Sequence, residues 1–179
     1  MKKFLLTVAM ITSALSMAKG TVTIGGGAGV YVPFTRNIVP KYIPTINLNS
    51  NYVLPVYEKE KLSVLVGGGA DIKVTVPTTR LNRVIIATDI LPYGTVQLGY
   101  KVAPETKLRF GGKIGIGTEI GYDAFVPGGF AFLPMVPAGL VFGVNWKHLS
   151  VDLEAGATIA GFKPVGGMVV TGLSIGYSF

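Results

Sequence analysis

The last segment of the chain alternates apolar and small residues one by one, and this alternation limits the folds open to it. Between its apolar positions the segment carries glycine and serine, apart from Val170. Successive side chains of a β-strand point to opposite faces, so the segment predicts a strand with one apolar face and one small, mostly polar face. The apolar face carries Val169, Thr171, Leu173, Ile175, Tyr177 and Phe179.

The same alternation recurs through the rest of the chain and predicts eight strands. They span about 21–34, 43–56, 62–76, 84–101, 107–121, 130–146, 149–162 and 167–179. Short connections lie at 57–61, 102–106 and 147–148. Longer ones, each with a proline, lie at 35–42, 77–83 and 122–129, and a shorter one on the same side lies at 163–166. Short periplasmic turns alternating with longer outer loops are typical of outer-membrane barrels.

The face that carries the charges decides between a soluble and a membrane barrel. Strand charges share their face with small residues, as Asp152 and Glu154 do with Ser150 and Gly156. The interior of an eight-stranded barrel is only just wide enough for side chains, so small and polar residues suit it. The apolar face then points outward, which is stable against lipid but not against water. We therefore predict an all-β fold, an eight-stranded antiparallel up-and-down transmembrane β-barrel, whose closure satisfies the backbone hydrogen bonds.

The composition agrees with this fold. Mean hydropathy is +0.53 and only 14% of residues are charged, yet no stretch after the N-terminus approaches the roughly 18–20 unbroken apolar residues of a spanning helix. Glycine, at 25 of 179 residues, weakens helix interiors by about 1 kcal/mol relative to alanine. Aromatic residues gather at strand ends, as two interfacial girdles would. Those near short turns are Tyr100, Phe110, Trp146, Tyr177 and Phe179. Those near long connections are Phe34, Phe130, Phe132 and Phe162.

The N-terminus has the order of a secretory signal peptide. Lys2 and Lys3 precede an apolar run over 4–15, and Ser16-Met17-Ala18 puts small residues at a cleavage site. The alternative, an uncleaved anchor, fits less well because the run is short and soon broken. We expect residues 1–18 to be a cleaved signal peptide and residues 19–179 to form the barrel domain in the bacterial outer membrane.

Charged residues on the inner face form a candidate network in the lumen. Its members are Asp71, Lys73, Asp89, Arg109, Lys113, Glu119, Asp152 and Glu154. A hairpin centred near Arg80 would place Asp71 opposite Asp89, with Lys73 diagonal to Asp89. Charges buried away from water must be paired, so one interpretation is a salt-bridged plug that fills the lumen. The other is a polar path for ions or small solutes, which the narrow bore disfavours.

Four prolines lie inside the predicted strands, although proline cannot donate to a ladder. Pro44, Pro92, Pro134 and Pro137 each lie roughly nine or more residues from the nearest short turn, and a tilted membrane strand needs only about 9–11 residues. We expect them at the outer rim, where strands extend beyond the bilayer and pairing can lapse.

Residues 19–179 resemble the small eight-stranded outer-membrane barrels of the OmpA/OmpX type. The resemblance is one of architecture. The most specific part is the ending, in which Leu173, Ile175, Tyr177 and Phe179 alternate with small residues. It is similar to the terminal β-signal of that superfamily. The resemblance implies that the barrel-assembly machinery reads this strand and that periplasmic chaperones escort the chain.

Few residues could support catalysis. The chain has no cysteine and one histidine, His148, and the small barrels of this type that are enzymes rely on histidine. His148 falls in a short turn on the predicted periplasmic side, where no nucleophile and base can be assembled around it. Chemistry by paired inner carboxylates alone is conceivable, but no residue pattern favours it. We expect no enzymatic activity, no cofactor and no metal site.

The long connections carry a net positive charge. Their basic residues are Arg36, Lys41, Arg80, Arg83 and Lys163. Anionic outer-leaflet lipid and the phosphates of lipopolysaccharide are suitable partners for them, so the basic balance needs no nucleic acid to explain it. The leading interpretation is a structural or surface-interaction barrel that contacts lipopolysaccharide or an external partner.

The rival interpretation is a small porin-like pore or a carrier of apolar molecules. Several apolar residues are expected to point inward in the outer half of the barrel, where they could line an apolar pocket. They are Leu91, Tyr93, Leu133, Met135 and Val141.

Overall fold

In a computed structural model the chain forms one closed antiparallel β-barrel. The structure describes residues 20–33, 42–76, 85–123, 130–160 and 166–179. The strands are β1 (Thr21–Pro33), β2 (Ile43–Lys59), β3 (Leu62–Thr75), β4 (Ile85–Ala103), β5 (Thr106–Gly115), β6 (Gly117–Asp123), β7 (Phe130–Trp146), β8 (Leu149–Ala160) and β9 (Gly166–Ser178). Each pairs antiparallel with its neighbours, and β1 pairs with β9 to close the ring.

Strands β5 and β6 are two halves of one long strand. Counted this way, the barrel has eight strands, as the sequence predicts. Both halves pair with β4 on one side and with β7 on the other. Only Ile116 separates them, and its N–H still donates to the Pro92 carbonyl at 3.2 Å. The predicted all-β, up-and-down, eight-stranded architecture is therefore confirmed.

The two faces of the sheet differ in the way the alternation predicts. On β8, Leu153 is 54% exposed on the outer face, whereas Thr158 is buried on the inner face. Polar and charged side chains make up most of the buried set in the described residues, with Asn47, Lys73, Gln97 and Arg109 among them. The barrel is thus inverted relative to a soluble protein, with an apolar outside and a polar inside.

Three two-residue turns close one end of the barrel, called here the short-turn end. They are Glu60-Lys61, Pro104-Glu105 and Lys147-His148. The flanking strands run further than the sequence predicts, because irregular pairings at Pro55/Tyr57 and Lys101/Ala103 absorb one residue each and pairing then continues to Lys59 and Ala103. Both ends of the described chain meet at this end, where the Phe179 N–H donates to the Val22 carbonyl at 2.9 Å.

The aromatic residues assigned to the short-turn end all face outward. Tyr100, Phe110, Trp146, Tyr177 and Phe179 are each about half exposed or more. At the opposite, long-connection end, Phe132 is exposed on the outer face. Phe34, Phe162 and the side chain of Phe130 lie outside the described residues.

The prolines do not end the pairing, so the expectation that pairing lapses around them is wrong. Pro44 aligns with Val30, Pro92 with Ala70, Pro134 with Thr118 and Pro137 with Thr158. The physical reason is that proline lacks only the donor. Its carbonyl still accepts, as Pro44 does from the Val76 N–H at 2.9 Å.

Among the residues that the structure describes, no helix is long and apolar enough to cross a membrane.

Candidate functional site

All eight charged residues proposed for the lumen lie at inward-facing positions of the strands. Asp71 and Lys73 are on β3, Asp89 is on β4, and Glu119 is on β6. Arg109 and Lys113 are on β5, while Asp152 and Glu154 are on β8. Side chains from opposite sides of the ring therefore meet across the lumen, which a width of eight strands permits.

Arg109 organises the part of the lumen near the short-turn end. The side chain is 2% exposed. Its Nε donates to Asn145 Oδ1 at 2.8 Å, Nη1 to Gln97 Oε1 at 3.1 Å, and Nη2 to Ser150 Oγ at 2.9 Å. Nη2 also forms an ion pair with Asp152 Oδ1 at 2.7 Å. The guanidinium fork is thus tied to three other strands at once, as its fixed donor geometry allows.

One glycine makes room for this ion pair. Gly143 on β7 aligns with Arg109 and Asp152 on its two neighbouring strands. A Cβ at Gly143 would overlap Asp152 Oδ1 and lie 2.9 Å from Arg109 Nη2. Any larger residue would therefore push the two charges apart.

Lys113 holds the middle of the lumen. Its Nζ lies 2.5 Å from Asp71 Oδ2 and 2.8 Å from Glu154 Oε2. The other oxygen of Glu154 accepts from Lys73 Nζ at 3.2 Å. Lys113 Nζ also sits 4.7 Å from the ring centroid of Tyr93, within cation–π range. Two lysines and two carboxylates from three strands thus form one continuous pairing across the barrel.

The β3–β4 register differs from the sequence expectation. Lys73 is directly opposite Asp89, and Asp71 is opposite Leu91 rather than Asp89. Each β3 residue therefore pairs two positions further along β4 than the sequence predicts. A shift of two leaves every side chain on its predicted face, and alternation alone therefore cannot detect it.

Tyr31 is a lumen residue that the sequence reasoning did not single out. It is buried, and its phenol donates to Asp89 Oδ2. The signal was present, because Tyr31 shares the inward parity of Thr23 on β1.

Asp89 and Glu119 stand apart from the ion pairs. They are directly opposite each other on β4 and β6. Neither has a cation within ion-pair distance in the described part of the chain, and Asp89 Oδ1 has no hydrogen-bond partner there. Lys73, Arg109 and Lys113 each have an ion pair, whereas these two carboxyl groups lie outside those pairings.

Apolar side chains fill the lumen beside this carboxyl pair. Leu91 and Met135 are buried on the inner face, while Leu133, also expected inward, is 40% exposed. Tyr93 and Val141 are half-buried. The described lumen is therefore occupied by side chains from the Arg109 group up to this apolar layer.

The single histidine of the chain has defined contacts in the structure. His148 lies in the last short turn, where its Nδ1 is 2.9 Å from the Ser178 carbonyl and its ring stacks on Tyr177 with centroids 5.3 Å apart. In the described ranges no group of three or more histidine, cysteine, aspartate or glutamate residues is placed to hold a metal ion.

The other proposed functional residues fall in two places. Leu173, Ile175, Tyr177 and Phe179 line the outer face of the last strand and its end. Arg36, Lys41, Arg80, Arg83 and Lys163 lie outside the described residues, as does the proposed signal peptide over 1–18.

No protein-family model matches the sequence, and no curated protein matches it. Solved structures of outer-membrane barrels do match. Neisserial surface protein A superposes with a TM-score of 0.56 at 9% identity, over 90% of this chain and 98% of that one. Ail, the attachment invasion locus protein of Yersinia pestis, gives 0.50 at 15% identity, over 90% and 99%. The outer membrane enzyme PagL gives 0.46 at 14% identity, over 89% and 98%. The chain has the fold of the small eight-stranded outer-membrane β-barrels.

Proposed function

We propose that this protein is a non-enzymatic protein of the bacterial outer membrane with a structural or surface-interaction role. Its lumen is a plug of paired side chains, and its long connections meet external molecules. The filling of the lumen carries this proposal, since Arg109, Asp89 and Met135 are 2%, 0% and 0% exposed. A path for solutes needs hydrated inner side chains, and these three have almost no contact with water.

Conductance across a planar bilayer tests the plug. The full-length protein should give no steady open channels, because moving an ion past Arg109 requires breaking its contacts with Asp152 and Gln97. Replacing both charges, Arg109→Ser with Asp152→Ser, should produce measurable openings. The matched control, Leu153→Ser, changes an outward neighbour and should stay closed. Steady channels in the unmodified protein would refute the plug and favour the rival pore.

The surface role rests on the basic long connections, which would pair with lipopolysaccharide phosphates. Replacing Arg80 and Arg83 by serine should weaken binding of lipopolysaccharide micelles to the purified barrel several-fold. The loss should shrink at high salt, where exposed charges are screened. Lys59→Ser with Lys61→Ser removes the same charge at the short-turn end and serves as control. Equal losses in both variants would point to general charge attraction and contradict a loop site.

Export and assembly are the second part of the proposal. Residues 1–18 act as a cleaved signal peptide, so the mass of the mature protein should correspond to a start at Lys19. Phe179 and Tyr177 act in the terminal signal for the barrel-assembly machinery. Phe179→Ser should lower the amount of heat-modifiable barrel in outer membranes, whereas Phe132→Ser, an exposed aromatic at the opposite end, should not. Equal amounts in both variants would contradict the signal.

The absence of enzymatic activity is supported by the contacts of His148. Its Nδ1 faces the Ser178 carbonyl, and its ring packs on Tyr177, and among the described residues no hydrogen bond joins the ring to a side-chain hydroxyl. Incubation with lipopolysaccharide and phospholipid vesicles should leave both lipids unchanged by mass spectrometry. Lipid turnover that disappears in His148→Ala would overturn this part of the proposal.

A further inference from the structure

A groove of about 700 Å³ interrupts the outer face between β3, β4, the junction of β5 with β6, and β7. Its floor and banks include Pro92, Tyr93 and Gly94 on β4, Ile114 and Ile116 on the β5/β6 strand, and Val136 on β7. The volume is within the range of about 300–1,000 Å³ that is typical of small-molecule sites. The outward side chains of Pro92, Ile114, Ile116 and Val136 are all aliphatic, whereas the Tyr93 ring points into the lumen beside Lys113.

The groove lies at an interruption of the β-ladder. The Ile116 N–H donates to the Pro92 carbonyl at 3.2 Å. In an antiparallel pair the return bond would run from the N–H of residue 92 to the Ile116 carbonyl, and proline has no N–H to make it. Regular strand geometry breaks at this residue, between the end of β5 at Gly115 and the start of β6 at Gly117.

A missing side chain deepens the groove. Gly94 faces outward beside Ile114, so the apolar belt has a gap there. A Cβ at Gly94 would have only the Gly67 carbonyl oxygen near it, at 3.9 Å. The space above Gly94 is therefore open, and its walls are Ile114 and Ile116, which are 65% and 73% exposed.

We propose that this groove is a binding site for one hydrocarbon chain, the acyl chain of a membrane lipid. The lining is apolar and continuous with the lipid-facing belt, so a flexible chain can fill it without losing hydrogen bonds. A polar ligand would have to be desolvated at the hydrocarbon core without partners. A second copy of this chain fits less well, because eight residues line the groove whereas a stable protein interface needs about 20–30 residues a side.

Photolabelling in vesicles tests the site. The full-length protein is inserted into dimyristoylphosphatidylcholine vesicles that contain a minor fraction of the same lipid with a diazirine on one acyl chain. After illumination, peptides that contain Ile114 and Ile116 should carry several-fold more label than the peptide that contains Leu153. Leu153 is an outward residue of comparable exposure on β8, so it reports ordinary contact with lipid.

Two glycines provide a matched pair of variants. Gly94→Leu should fill the groove and reduce the label at Ile116 to the level found at Leu153. Gly112→Leu is the control, because Gly112 also faces outward on β5, lies outside the groove lining, and a Cβ there would be 3.7 Å from its nearest neighbour. The control should keep the label of the unmodified protein.

Folding of each variant is verified by its heat-modifiable migration. If Gly94→Leu does not fold, Val136→Phe fills the groove from the β7 bank and gives the same comparison. Uniform label along the belt, or label at Ile116 that survives a folded filling variant, would overturn the proposal. Cross-links between two protein copies at this face would also overturn it. The outcome is independent of conductance and of lipopolysaccharide binding, so the proposed function stands or falls separately.

Discussion

Replacing Arg109 by methionine removes the most heavily bonded charge of the lumen while keeping most of its length. The guanidinium makes four contacts, to Asn145, Gln97, Ser150 and Asp152. Its loss leaves the Asp152 carboxylate, which is 14% exposed, with only the Ser150 hydroxyl at 3.2 Å. Removing one partner of a buried ion pair costs about 3–5 kcal/mol, and we expect a loss in the free energy of unfolding of that size.

The partner variants give this estimate its internal test. Asp152→Asn should cost less, about 1–3 kcal/mol, because Arg109 keeps its three neutral acceptors. Arg109→Met combined with Asp152→Asn removes both charges, so its loss should be smaller than the sum of the two single losses. The difference from that sum is the coupling energy of the pair, which we expect to exceed about 1 kcal/mol.

Urea unfolding of the vesicle-inserted protein measures these values. Trp146 is the only tryptophan and faces outward near the short turns, so its emission should shift to longer wavelength when the barrel unfolds. Lys59→Met, an exposed change on β2, serves as the control and should stay within about 0.5 kcal/mol. A loss below about 1 kcal/mol for Arg109→Met would mean that water solvates Asp152, and the plug would be refuted.

Three further changes probe other parts of the barrel by the same unfolding measurement. Asp89→Asn should cost under about 1 kcal/mol or stabilise the barrel, because this carboxylate has no ion pair in the described lumen and lies directly opposite the like charge of Glu119. A loss above about 3 kcal/mol would mean that Asp89 has a charged partner. Gly143→Ala should cost about 1–3 kcal/mol through the overlap of its Cβ with Asp152, and a neutral result would show that the ion pair can shift freely. Glu60→Gly should stabilise the barrel by about 0.5–1 kcal/mol, since Glu60 has a φ of 51°, a left-handed conformation that costs an L-residue about 1–2 kcal/mol. A loss of stability would show that the Glu60 side chain contributes to the turn.

Alternation was sufficient to predict the architecture, because parity along a strand determines the face of every residue. It identified the inward charges and the outward belt from Ile24 to Phe179 in the same way. Parity could not determine the register, since a two-residue slip between Lys73 and Asp89 leaves all faces unchanged. It also could not show that β2 and β4 continue past their irregular pairings at Pro55/Tyr57 and Lys101/Ala103, because such irregularities depend on the partner strand.

The composition of the lumen groups was the least predictable part. The hydrogen-bond partners of Arg109 come from β4, β7 and β8. Which residues reach Arg109 therefore depends on the registers of the β4–β5, β5–β7 and β7–β8 pairs together. Tyr31 could have been included from parity alone, since it follows Thr23 by an even number of positions. Tyr31 and Asp89 are 58 positions apart in the sequence, and no local pattern predicts a contact at that separation.

The pairing of the first strand with the last has a consequence for the order of events during biogenesis. Thr23 and Ser178 lie 155 positions apart in sequence yet share a hydrogen bond at 2.9 Å. No intermediate that lacks β9 can seal the cylinder, and until then β1 and β8 each present a row of bare amide groups to hydrocarbon, at a cost of several kcal/mol for each unmet group. Pairing of β1 with β9 removes that cost for both strands at once, so closure must accompany burial in hydrocarbon rather than follow it.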